Sequence, residues 1–219
     1  MRVGIPDLRG NVATDPYLSA EEDLRAATRL HERALADGFR AALEAYYATN
    51  LRVPPAQARR FIAGTLAAAD RARAVLAHWI GMSPGSPLPR SAVDVGCGTG
   101  PLLLALHEAG IEPIGVDVGL RWLVLAAARL RERGRSVPLL CAGATALPFG
   151  NGSVGVIASE SLIENVPPAS AVVAEARRVL APGGRLWLTT ANRNSLGPDP
   201  HLGLPLGGLL PRAVVSGVR

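Results

Sequence analysis

The 219-residue chain contains no lysine, since all 23 residues of its Lys+Arg count are arginine. That absence excludes a Schiff-base lysine and the lysine of a Walker-type phosphate loop. Cysteine is almost absent too. Cys97 and Cys141 stand 44 positions apart, which supports neither a disulfide framework nor a cysteine-rich zinc site. His31, His78 and His107 each stand alone on helical stretches, so no metal is expected. No uninterrupted run of about 18 apolar residues occurs, and residues 1–19 lack the apolar core of a signal peptide. The expectation is a cytoplasmic, reducing location without a membrane span.

What is present is enough for a buried core. Hydrophobic residues make up 48% and charged residues 19%, the balance of a globular chain and not of a disordered tail. The length fits one α/β domain with a small appendage. The net charge of +5 comes from 23 Arg against 18 Asp+Glu spread along the chain, a mild excess that does not point to nucleic acid.

The first part reads as helix. Ser19 with Glu22 makes a capping box, and Leu24, Leu30, Leu35, Phe39, Leu43 and Tyr46 keep one face apolar to about residue 48. Pro54 and Pro55 interrupt it, and the spacing of Phe61, Ile62, Leu66, Val75, Leu76 and Trp79 predicts one further helix over 56–80, stopped at Gly81. The segment 82–90, rich in proline and serine, reads as a linker, which divides the chain into a helical cap and linker over 1–90 and a second domain over 91–219. From residue 91 short apolar runs alternate with helical patterns. Strands are predicted at about 91–95, 112–117, 137–141, 154–158 and 184–190, with helices at 101–109, 120–133 and 169–180. The fold class is α/β, a Rossmann-like doubly wound and mostly parallel sheet with an N-terminal helical cap.

The most informative segment is SAVDVGCGTGPLLLALHEAG, residues 91–110. A buried strand carrying Asp94 runs into Gly96, Gly98 and Gly100, and the turn opens a helix at Pro101. Glycines serve where backbone must turn tightly and approach a ligand with no Cβ in the way, and a helix N-terminus offers free N–H donors. A dinucleotide fingerprint would be GxGxxG, but Pro101 occupies the place of its third glycine. An acidic residue, Asp117, follows 23 positions after Asp94 at the tip of the next strand, where a carboxylate can accept from both hydroxyls of a ribose.

The residues VDVGCGTG resemble motif I of the class I S-adenosylmethionine-dependent methyltransferases. The stretch 141–166, with its LPF loop, and EARRVLAPGGRLWLTT, with Glu175, Arg178, Leu180, Pro182, Gly183 and Gly184, resemble later parts of that family. The likeness covers residues 91–190. It implies S-adenosyl-L-methionine as cofactor, with Asp94 holding its ammonium group and Asp117 its ribose. The implied cofactor-binding set is Asp94, Gly96, Cys97, Gly98, Gly100, Asp117, Val118, Gly143, Ala144 and Glu160, with the Cys97 side chain as small filler. Two departures stand out. Gly143 replaces the acidic residue that usually meets the adenine amino group, and Gly155 replaces the Asp that usually starts the fourth strand.

The resemblance implies in-line methyl transfer to a small-molecule oxygen, nitrogen or carbon without a metal. The tail, with its NRNSL and PHLGL segments, is similar to that of bacterial small-molecule methyltransferases, making Asn192, Arg193 and Ser195 substrate contacts. A general base is needed only if the acceptor keeps its proton, and His201 and Glu164 are both candidates for it. Glu160 and Glu164 flank the end of the fourth strand, where either a ligand or a structural role is open to them. The rival reading is a catalytically degenerate protein that binds the cofactor and serves as a partner or regulatory module. A nicotinamide dehydrogenase is a third. The family fold also carries two more strands after the fifth, whereas 29 residues come after Thr190 and they include Pro198, Pro200, Pro205 and Pro211. The expectation is an incomplete sheet whose fifth strand is an apolar edge inviting self-association.

Overall fold

In the computed structural model, residues 3–10, 15 and 17–190 are described. The expectations for the strands after the fifth, and for Asn192, Arg193, Ser195 and His201, lie outside those residues.

Five strands, β1 (Ser91–Val95), β2 (Glu112–Asp117), β3 (Leu139–Cys141), β4 (Val154–Glu160) and β5 (Leu180–Thr189), pair in parallel in the order β3-β2-β1-β4-β5. The order reverses at β1, so a crevice opens beyond the C-terminal ends of β1 and β4. Both faces are covered, as a parallel sheet requires. On one, Leu76 and Trp79 of α3 (Ala68–Gly81) and Leu102 and Leu106 of α4 (Pro101–Glu108) pack with Val156 and Trp187. Trp79 and Trp187 stack at 5.8 Å between ring centroids. On the other, Val172, Ala176 and Val179 are buried on α6 (Ala169–Val179), and the last two pack with Val95, Val116 and Ile157. The long α1 (Ala20–Thr49) lies along α5 (Leu120–Glu132), burying Leu30, Phe39 and Leu43 against Leu123, Val124 and Leu130. The helices before residue 90 therefore share their cores with the elements after it, and the described chain through Thr189 is one packed unit. The packing shows no division at residue 90.

The N-terminal segment adds a short parallel bridge to the outer edge of β3. Leu8 donates its N–H to the Cys141 carbonyl at 2.7 Å, and Cys141 donates to that of Pro6 at 2.9 Å. The edge is thus blunted by the chain's own beginning.

Three expectations about elements need correction. The single helix over 56–80 is two, α2 (Pro55–Leu66) and α3, jointed at Ala67. Two arginines meet carbonyls at the break: Arg71 donates to Gly64 and Arg129 to Thr65. Second, α1 is kinked at Gly38, whose φ of 84° no helix contains. The freed groups are paired by α5, with Arg131 donating to the Ala34 carbonyl and Glu132 accepting the Phe39 N–H, both at 2.6 Å. Third, strand bounds shift. β3 begins only at Leu139, β4 continues to Glu160, and β5 begins at Leu180, with an irregular register against β4 before Arg185. Among the described residues no helix is long and apolar enough to cross a membrane.

Candidate cofactor and active site

The crevice is built by three strand tips. Asp94 sits in β1 opposite Gly115 of β2 and Ala158 of β4, with only 2% of its surface exposed. Its Oδ2 is buried without a hydrogen-bond partner among the described residues. Burial, reinforced by the carboxylates of Glu160 and Asp117, pushes the Asp94 carboxyl well above the usual range. An orphaned buried carboxyl is costly unless something meets it, and a cation in the crevice would.

The turn after β1 is anchored from below, where Gly96 and Cys97 both donate to the Val116 carbonyl at 2.8 and 3.0 Å. Gly96, Gly98 and Gly100 all have positive φ, but they are not equivalent. A Cβ on Gly96 would meet Leu162, and one on Gly100 would meet Ala126 of α5, so these two glycines serve packing. A Cβ on Gly98 would meet nothing within 4 Å among the described residues, so the turn presents bare backbone to open space there. Cys97 is buried, with its sulfur against the backbone of Gly115. Burial holds its thiol well above the ordinary value, which disfavours the nucleophilic thiolate.

Asp117 ends β2 with its carboxylate spanning the crevice. Oδ2 accepts the Gly98 N–H at 2.9 Å and Oδ1 that of Gly119 at 2.8 Å. Burial raises its pKa against the lowering effect of both bonds. Each oxygen keeps a further acceptor site for a neighbouring hydroxyl. Val118 comes next, partly buried. Gly143, buried, and Ala144, partly buried, lie after β3, and Ala142 donates to the Asp117 carbonyl at 3.0 Å. The strand-tip loops are thereby tied together.

Glu160 closes β4 at the same end of the sheet. Burial raises its pKa, with the Arg71 charge opposing. Glu164 lies in the one-turn 3-10 segment Ile163–Asn165 beyond it. Among the described residues, no group of three or more His, Cys, Asp or Glu side chains is gathered to hold a metal ion.

Sequence reasoning misses a second layer. Asp23, Arg9, Arg121 and Asp15 form a buried ionic cluster against the loop after Asp117. Arg129 reaches the turn from behind, donating to Thr99 Oγ1 at 3.2 Å. One signal is available in the sequence, since Gly119 precedes α5 without a side chain to cap it, so a cap has to come from elsewhere.

Comparisons with known proteins fit this geometry. Residues 93–188 match the family model described as methyltransferase domain. A ubiquinone biosynthesis O-methyltransferase of Methylococcus capsulatus is 38% identical over 106 residues, 48% of this chain and 45% of its own. A demethylmenaquinone methyltransferase of Thermus thermophilus is 37% identical over 100 residues, covering 45% and 46%. The chain spans about half the length of the curated relatives it matches. A solved structure from Methanococcus maripaludis, assigned as an S-adenosyl-L-methionine-dependent methyltransferase, shares the fold with a TM-score of 0.51 at 16% identity, over 56% of this chain and 57% of that one. The glycine turn and the acidic strand tips thus lie within residues 93–188, the segment similar to the methyltransferase domain family, and the sheet order is that of its fold.

Proposed function

We propose that this chain binds S-adenosyl-L-methionine and transfers its methyl group to a small-molecule acceptor. The observation that carries the reading is the juxtaposition in one crevice of a buried Asp94 Oδ2 with no partner among the described residues, open space in front of Gly98, and an Asp117 carboxylate with acceptor sites left over. These match, in turn, an ammonium group, a ligand backbone at close approach, and a ribose diol. When bound, the cofactor supplies a methyl group already activated by its sulfonium, so no metal is needed.

The chain's own residues then bind, orient and exclude water. Asp94 holds the ammonium, with Glu160 adding negative charge nearby. Gly98 allows the close approach, and the backbone of Gly96, Cys97, Gly100 and Val118 completes the cradle. Asp117 fixes the ribose. Gly143 and Ala144 meet the adenine through backbone groups alone. Glu164 or His201 takes the acceptor's proton where it has one, and Asn192, Arg193 and Ser195 contact the acceptor. Residues 1–90 act as a helical cap and 91–219 as the methyltransferase domain. The names of the two relatives favour a quinone-type acceptor, and that of the Methylococcus capsulatus relative favours oxygen as the methylated atom. We place the protein in the cytoplasm, in keeping with two buried free cysteines. We also propose self-association through β5, which pairs only with β4 among the described residues. Light scattering that finds a monomer at all concentrations overturns that last point.

The test is calorimetric titration with S-adenosylmethionine and S-adenosylhomocysteine, then methyl transfer to a panel of hydroxylated aromatic acceptors. Binding with turnover is the expected result. Binding without turnover on any acceptor replaces the enzyme with a cofactor-holding partner protein, and no binding at all removes the reading.

A further inference from the structure

We infer that Asp23 is a positioning residue for Asp117, fixing the ribose end of the crevice from the N-terminal segment with the help of Arg9 and Arg121. The inference rests on the cofactor reading above and assigns it a part that the strand tips alone do not supply.

The need for such a residue comes from Gly119. It is the N-cap of α5, extended at φ −91° and ψ 105°, and has no side chain to accept the first free N–H groups of the helix. Asp23, on α1, supplies the cap in trans. Its carboxylate, with no exposed surface, accepts Leu120 N–H at 2.8 Å and Arg121 N–H at 3.3 Å. The helix N-terminus favours that negative charge. Two guanidiniums share the same carboxylate, Arg9 Nη1 and Arg121 Nη1, each at 2.8 Å. Arg121 is also paired with Asp15 at 2.8 Å. Arg9 is held from its other side by Asp7, the residue that bridges to β3, and its Nη1 also donates to the Val118 carbonyl at 3.1 Å.

The loop between Asp117 and α5 is therefore gripped along its length. Arg9 holds the Val118 carbonyl, Asp23 holds the N–H groups of Leu120 and Arg121, and Asp117 itself holds that of Gly119. Because Gly119 N–H fixes Oδ1 of Asp117 while Gly98 N–H fixes Oδ2, the carboxylate plane is set by where the loop lies. Asp23 contacts no ligand in this arrangement and acts through Asp117. Networks of this kind orient the groups that do the binding.

The experiment uses the full chain and two ligands, S-adenosylhomocysteine and its 2′-deoxyribose analogue, titrated calorimetrically against the natural sequence, Asp23→Asn and Arg9→Lys. The natural protein should favour the ribose form by about tenfold, the scale of a charge-assisted hydrogen bond. In Asp23→Asn that preference should collapse, with affinity for the deoxy form nearly kept. A merely structural role would weaken both ligands alike. Should Asp23→Asn fail to fold, as circular dichroism would show, Arg9→Lys decides. It keeps the charge but loses the forked reach to Asp7, Asp23 and Val118, and should reduce the preference several-fold. Equal loss for both ligands, or an unchanged preference in folded variants, overturns the inference and leaves the cofactor reading intact. A natural protein that binds neither ligand overturns both.

Discussion

Gly98 donates its backbone N–H to Asp117 Oδ2 at 2.9 Å, so the centre of the glycine turn and the acidic tip of β2 form one hydrogen-bonded unit. Of the turn's glycines only this one faces open space, which separates their mutants. Gly98→Ala places a Cβ into the crevice at a φ of 51°. The backbone strain should lower stability by about 1–2 kcal/mol. The larger effect should be loss of S-adenosylhomocysteine binding. Gly96→Ala, by contrast, drives a Cβ to 2.8 Å from Leu162 Cδ1 and should act first on folding. Calorimetry and thermal melts on both variants read the contrast, and equal melting losses with retained binding would contradict it.

The Asp94 carboxyl gives a pH dependence with a definite sign. Its pKa is raised in the folded protein by burial and by the Glu160 and Asp117 carboxylates. Between the ordinary value of 3.8 and the raised one, the folded state binds more protons than the unfolded. The free protein therefore loses this contribution to stability as pH rises through that window. Cofactor binding runs the other way, because an ammonium group favours the ionised carboxylate. Affinity should rise with pH through the same window, and binding should release protons there. Titration in two buffers of different ionisation enthalpy measures that release, and Asp94→Asn should abolish it along with most of the affinity.

Glu132 tests the kink in α1. Its Oε1 accepts the Phe39 N–H at 2.6 Å, and a Cβ on Gly38 would collide with the same carboxylate. Gly38→Ala combines that collision with a φ of 84° and should cost about 2–3 kcal/mol, read as a lowered melting temperature. Glu132→Ala frees the space but leaves the Phe39 N–H unpaired, so it should also destabilise. The double variant should fall short of the sum of the two, since the collision is gone. Full additivity would mean that the carboxylate and the glycine do not share one site.

The sheet and the turn were legible because they arise from local chemistry. SAVDV reads as a strand buried on both faces, and the paired glycine spacing with Pro101 reads as a turn opening a helix. The distance of Asp117 from Asp94 puts it at the tip of the next strand, and it ends β2 there, bonded to the turn. The two helix breaks were less legible. Gly38 sits inside an unbroken apolar periodicity, and Ala67 is a good helix former. Side chains distant in sequence meet both breaks, Arg131 and Glu132 at one and Arg129 at the other, where the nearby Arg71 joins it. Asp23 was hidden for a similar reason. In sequence it is a first-turn acid of α1, and only the fold brings it against a helix that starts 97 residues later.

Arg129 yields the last prediction, in which stability and binding part company. Its guanidinium lies 4.3 Å above the Phe39 ring and donates to the Thr65 carbonyl and Thr99 Oγ1, but among the described residues no carboxylate forms an ion pair with it and its Nε has no hydrogen-bond partner. Burial lowers its pKa to about 10. A pKa below that of the unfolded chain means that the charged form is held at a cost at neutral pH, a cost present below the folded value and relieved as pH rises toward the unfolded one. Exchanging such a charge for an apolar side chain of similar length should therefore change stability little, within about 1 kcal/mol in either direction. Arg129→Met should melt close to the natural protein. Yet Thr99 stands between Gly98 and Gly100, and without the guanidinium its hydroxyl no longer fixes the turn. Affinity for S-adenosylhomocysteine should fall about five- to tenfold, and Thr99→Val should give a similar loss. Combined, the two changes should lose no more than either alone, because they break the same bond. Independent losses that multiply in the double variant would show that Arg129 reaches the site by another route.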